Sequence, residues 1–89
     1  MYVEVLFFGQ LRDIAGVRQK TVYIDEGARV IDLVDHLGEE YGDAFRDQVG
    51  HTQGLRIFIS GREFWLSDAT NQQLQDGDTI ILLPPIAGG

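Results

Sequence analysis

The chain reads as a two-layer α+β domain, a sheet of four or five strands with one main helix laid on one face. Three observations predict it. Short apolar or alternating runs stand toward both ends, one segment of 3.6-residue period stands between them, and 89 residues with 44% hydrophobic content support a single core. One helix covers one face of such a sheet and leaves the other in water.

The first strand runs from Val3 to Phe8 as an apolar stretch, and Gly9-Gln10-Leu11-Arg12-Asp13 ends that pattern and leads through Gly16 to the next element. Arg18 to Asp25 then alternates, with Val22 and Ile24 on one face and Thr21 and Tyr23 on the other. The two runs together read as a hairpin. From Val30 the period changes: Val30, Leu33, Val34, Leu37 and Tyr41 line one side of a helix, while Asp32, Asp35, Glu39 and Glu40 take its wet side. Gly42 suits the position just beyond its end. No Ser, Thr or Asp precedes Val30 as an N-cap, so the start is defined only to within a few residues. Asp43 to Val49 suits a short second helix closed by Gly50, with Phe45 and Val49 four apart. Leu55 to Ile59 is a strand, Ser60-Gly61 a turn, and Glu63-Phe64-Trp65-Leu66 the return strand of a second hairpin. Asp76-Gly77-Asp78 is a further turn that feeds the last strand, Thr79 to Leu83.

Strand parity has a consequence at both ends of the chain. If Val3, Val5 and Phe7 face the helix, Leu6 and Phe8 point away; if Ile80 and Leu82 face it, Ile81 and Leu83 point away. A chain this small has no second helical layer to cover them. The expectation is an exposed apolar patch on the far sheet face, of the kind that marks a partner surface, with Phe8, Ile81 and Leu83 in it. One of Phe64 and Trp65 belongs to the core and the other extends the patch; the pattern does not say which.

Composition narrows the chemistry. Fourteen acidic against seven basic residues give a formal charge of −7, which repels nucleic acid and anionic membrane and favours a basic protein surface. There are no cysteines, which excludes disulfides, thiolate metal ligands and a cysteine nucleophile. No apolar run approaches a membrane span and the start lacks a basic signal-peptide head, so the expected location is the cytoplasm. His36 and His51 are too few and too isolated for a zinc site, which needs three or four convergent ligands. Lys20, the only lysine, reads as a solvated strand residue.

The most informative segment is Ala87-Gly88-Gly89, which follows the last strand and a rigid Pro84-Pro85. At an average glycine usage of about 7%, two glycines in these positions arise in roughly 0.5% of chains, so chance is a weak explanation. Without a Cβ, a Gly-Gly end lies extended in a slot too narrow for other residues. The terminal carboxylate is then accessible to another protein's catalytic groups.

The opening Val3-Glu4-Val5-Leu6-Phe7-Phe8-Gly9-Gln10-Leu11-Arg12-Asp13-Ile14-Ala15-Gly16 and the closing stretch from Leu74-Gln75-Asp76-Gly77-Asp78 through Thr79-Ile80-Ile81-Leu82-Leu83-Pro84-Pro85 to Gly88-Gly89 resemble the MoaD family. That family, the small subunit of molybdopterin synthase, belongs to the MoaD/ThiS group of ubiquitin-like sulfur carriers. The resemblance implies a β-grasp fold with a mixed sheet over residues 1–84 and a flexible tail over 85–89. It implies that an E1-like adenylating enzyme (MoeB/ThiF type) activates Gly89 with ATP, that a sulfur donor system converts it to a thiocarboxylate, and that a large synthase subunit (MoaE type) receives the sulfur. Pro85, Ile86, Ala87 and Gly88 would be gripped as the tail, and Phe8, Ile81 and Leu83 would contact the partner. No bound cofactor is implied, and the chain itself would carry sulfur without catalysing the chemistry. Ser60-Gly61 stands where the family often has Asn-Gly, and Arg29 where Thr is common. The small archaeal modifiers, joined to lysines through the same glycine, and the thiamine-type carriers are the alternatives that the resemblance leaves open.

Overall fold

Strands from opposite ends of the sequence lie side by side at the centre of the sheet. The computed structural model describes residues 1–51 and 54–85. Its strands β1 (Tyr2–Phe7), β2 (Gln19–Tyr23), β3 (Arg56–Ile59), β4 (Arg62–Trp65) and β5 (Thr79–Leu83) form one sheet in the order β2-β1-β5-β3-β4. The β1 and β5 pair is parallel, with Val5 opposite Ile80 and Phe7 opposite Leu82; the other neighbours are antiparallel. A parallel pair needs a long crossover. Here the crossover is most of the domain, and it carries α2 (Val30–Tyr41), which packs on one face of the sheet. This mixed sheet around a helix is the ubiquitin-like β-grasp.

The core follows the predicted parity. Val3, Val5, Phe7, Ile57, Ile80 and Leu82 are buried on the sheet side, and Val30, Leu33 and Leu37 on the helix side. Phe7, Tyr41 and Phe45 close one end with their rings 5.8 to 6.5 Å apart, Phe7 edge-on to the other two. Such contacts add about 0.5–1.5 kcal/mol each beyond the area they bury. Phe45 belongs to α3 (Asp43–His51), which runs through Gly50 instead of stopping at it.

Two short helices lie outside the pattern that the sequence displays. The first two strands do pair antiparallel, Val3 with Val22, yet they do not form a hairpin: α1 (Gly9–Ala15) stands between them. It buries only Leu11 fully, with Ile14 half-buried one turn on, so two turns carry too few apolar repeats to declare a helix. The second, α4 (Leu66–Ala69), is a single turn that buries Leu66 and Ala69.

The missing N-cap of α2 is replaced by tertiary structure. Backbone N–H groups of Val30 and Ile31 donate to the carbonyls of Gln72 and Thr70, both at 3.0 Å. Asp32 accepts the N–H of Arg29 at 2.8 Å, which supplies one half of a capping box. A guanidinium has no acceptor, so the Arg29 side chain caps nothing; it donates to the Asn71 carbonyl at 2.6 Å. The loop after α4 thereby satisfies donors that a Ser or Thr would otherwise serve.

The turns behave as their composition predicts. Ser60 and Gly61 both take positive φ, 47° and 88°, as the tight turn of the β3 and β4 hairpin requires. The Ser60 hydroxyl donates to Asp78 at 2.7 Å, and Asp78 also accepts the Gln75 N–H at 2.8 Å. Asp76 accepts the Tyr2 N–H at 3.0 Å. These carboxylates hold a turn against the sheet.

Candidate functional site

The sheet face turned away from α2 is divided into a polar and an apolar end. At the polar end Glu4 lies between Thr21 and Thr79 in register, and accepts hydrogen bonds from Thr21 at 2.9 Å and Gln19 at 3.0 Å. Two residues further along, the row is Leu6, Ile81 and Phe58, all half-buried. The next row has Leu83 opposite Arg56 and Arg56 opposite Trp65, and Phe8 follows directly on Phe7, whose partner Leu82 precedes Leu83. Phe8 itself lies just past β1, in extended conformation at the start of α1, and remains 42% exposed. Phe8, Ile81 and Leu83 therefore share one surface, joined by Leu6 and Phe58, with Trp65 at its edge beyond Arg56. The parity that pointed Leu6 outward also finds Phe58, because Ile57 and Ile59 face inward.

Register also separates Phe64 from Trp65. Phe64 pairs with Ile57 and packs on the core side, with the Arg62 guanidinium 5.3 Å from its ring. Trp65 pairs with Arg56 and remains 54% exposed. A large indole is thus left at the corner of the apolar surface, beside the Arg56 and Glu63 ion pair at 3.1 Å.

The apolar end is where β5 runs into the tail. Pro84 is half-buried beside Gly9: a β-carbon built on Gly9 would stand 3.6 Å from the Pro84 ring. Pro85 is exposed and lies next to Gly54, whose added β-carbon would stand 3.9 Å from it. Two ring-constrained residues, each with a glycine as a neighbour, end the described chain beyond β5. Ile86, Ala87, Gly88 and Gly89 lie outside the described residues.

Lys20 departs from the expected solvated residue. It stands opposite Val5 on the helix side of the edge strand β2, and its ammonium meets Glu40 at 2.7 Å. The hydrogen bond to Glu40 holds the lysine above its ordinary pKa, and the same bond holds Glu40 below the usual carboxylate range. Burial pushes the neighbouring Tyr41 hydroxyl up. No group of three or more His, Asp or Glu side chains among the described residues is gathered in a way that would hold a metal ion.

Sequence comparison adds the lineage: the ThiS family matches residues 5–89. The chain belongs to the ThiS family. It is 27% identical to a molybdopterin synthase sulfur carrier subunit of Chlamydomonas reinhardtii, with both chains covered in full. It is 33% identical to small archaeal modifier protein 3 of Haloferax volcanii, again over the whole of both. Among solved structures, a complex of subunits 1 and 2 of the molybdopterin-converting factor of Helicobacter pylori contains a chain that superposes on this one with a TM-score of 0.62 at 27% identity, both covered completely. The ThiS-family chain shares its fold with that solved structure.

Proposed function

We propose that this chain is the sulfur-carrying small subunit of a molybdopterin synthase. The observation that carries the reading is the junction of an open apolar sheet face with the proline-braced root of a Gly-Gly tail, in a ThiS-family chain. Residues 85–89 are the working tail and Gly89 its reacting residue. An ionised carboxylate resists nucleophiles because attack adds negative charge to an anion. Adenylation by an E1-like enzyme removes that obstacle: a Gly89 oxygen displaces pyrophosphate from ATP, and the acyl-adenylate carries AMP as a leaving group. Sulfur delivered as a persulfide then takes the place of AMP to give an acyl disulfide. A thiol reductant of the sulfur donor system cleaves the sulfur–sulfur bond, becoming oxidised to a disulfide and leaving a thiocarboxylate on Gly89 and a thiol on the donor. The large synthase subunit binds the pterin precursor and receives the sulfur, with Phe8, Ile81 and Leu83 seated against it. The relative's name and the two-subunit complex of the structural neighbour support that partnership. A cytoplasmic setting suits a carrier supplied by ATP, and no helix among the described residues is long and apolar enough to cross a membrane.

Incubation with ATP, an E1-like enzyme and a persulfide donor tests the proposal by intact mass. One oxygen exchanged for sulfur is expected on the whole chain and none on a chain lacking Gly89. A Gly89 deletion that still supports cofactor synthesis in cells would overturn it. The 33% identity to a small archaeal modifier favours a second use of the same activated carbonyl, transfer to a lysine amine of another protein. Conjugates on protein lysines that require Gly89 are the outcome that distinguishes it.

A further inference from the structure

A groove of about 620 Å³ lies around the β4 corner from the open sheet face, lined by Ile31, Val34, Val49, Leu55, Trp65 and Leu66. Ile31 is 40% exposed although it projects from the main helix, and Trp65 belongs at once to this groove and to the apolar sheet surface. Gly54 forms part of the groove wall and is also the residue against which Pro85 rests. On the open face the row runs Leu83, Arg56 and Trp65, so Trp65 is the side chain shared by that face and the groove, reached across the ion-paired Arg56.

We propose that this groove is a second docking site for the tail-activating enzyme, and that it receives an apolar side chain carried on a basic segment of that enzyme. The inference rests on the carrier reading above. Four residues follow Pro85, a reach of at most roughly 14 Å when fully extended. An enzyme that adenylates Gly89 must come within that distance of Pro85, and the groove residue Gly54 is a neighbour of Pro85, since a β-carbon added to it would stand 3.9 Å from that ring. Charge selects the sign of the occupant. Asp35 stands one helical turn from Ile31, Asp68 follows the groove residues Leu66 and Ser67, and both are exposed; the nearby Arg56 is neutralised by Glu63. A second copy of this chain, at a formal charge of −7, is repelled from such a rim. A basic partner is drawn to it.

Steady-state ATP–pyrophosphate exchange with a purified E1-like enzyme tests this, with the full-length chain as the varied substrate. Ile31→Glu is expected to raise KM about tenfold with kcat unchanged, as for an interface side chain of appreciable weight. The exposed pair Asp35→Lys and Asp68→Lys together is expected to raise KM several-fold and to weaken its dependence on salt. Tyr23→Ser, at the far corner of the sheet, is the control and leaves both constants unchanged. Circular dichroism and thermal melts confirm that each variant is folded. Folded groove variants with the KM of the unaltered chain would overturn the docking site while leaving the carrier reading intact. So would a dimer of the unaltered chain in sedimentation that Ile31→Glu abolishes, because the occupant would then be a second copy. Exchange that persists without Gly89, or no exchange by the unaltered chain, would overturn the carrier reading and this proposal with it.

Discussion

Single residues set constraints that composition alone does not reveal. Gly42 ends α2 at φ 83° and ψ −161°, a conformation essentially reserved for glycine. A β-carbon there would meet nothing within 4 Å, so the cost of replacing it is backbone strain alone. Gly42→Ala is expected to lose about 1–3 kcal/mol in urea unfolding. Gly50 gives the opposite expectation, since it sits inside α3 with open space around it and no positive φ. Gly50→Ala should gain a few tenths to about 1 kcal/mol. The Lys20 and Glu40 pair makes a pH-dependent contribution. Glu40 has a lowered carboxyl pKa in the folded chain, so its share is present above the unfolded pKa and lost as pH falls through the folded one. Lys20 has a raised pKa, so its share is present below the unfolded value and lost as pH rises through the folded one. Glu40→Gln should therefore lower the melting temperature slightly at neutral pH, and the difference should shrink in acid and in strong alkali. The pair is about one-third exposed, which keeps the effect small.

At the scale of elements, legibility tracked the number of apolar repeats. The twelve-residue α2 shows its buried face over three turns, and β5 is an unbroken apolar run of four directly behind the Asp76-Gly77-Asp78 turn, so both were plain in the sequence. The two-turn α1 and single-turn α4 were not, because each buries one or two side chains and leaves no period to detect. The cap of α2 was illegible for another reason. Its acceptors are backbone carbonyls of residues 70 and 72, and a carbonyl has no sequence signature. Only the Asp32 half of that arrangement is a side chain. Asp32→Ala should cost about 0.5–2 kcal/mol, read from thermal or urea unfolding, in line with other lost helix caps. The apolar sheet face was legible by parity from both terminal strands, but the separation of Phe64 from Trp65 required the hairpin register that Ser60-Gly61 sets. The groove beside it draws on three helices, the end of β4 and a loop, and no local pattern announces such a meeting.

For the whole molecule, the proposed function predicts that stability and partner binding separate by sheet face. Val5, Ile80 and Leu82 hold the core, while Phe8 and Ile81 face away from α2. Phe8→Ser should leave the melting temperature nearly unchanged and weaken binding to the large synthase subunit about tenfold or more, measured by calorimetry. Leu82→Ala should do the reverse in kind: a loss of about 2–5 kcal/mol in stability, with the surface that the partner meets left in place in the folded fraction. The central position of β5 carries a last consequence. Because it bridges β1 and β3, no sheet joins the two halves of the domain until the chain has been made past Thr79. A copy broken off before that point lacks the joined sheet together with every residue that follows it. Such a fragment presents no intact open sheet face, so the fold itself withholds that surface from chains that stop before β5.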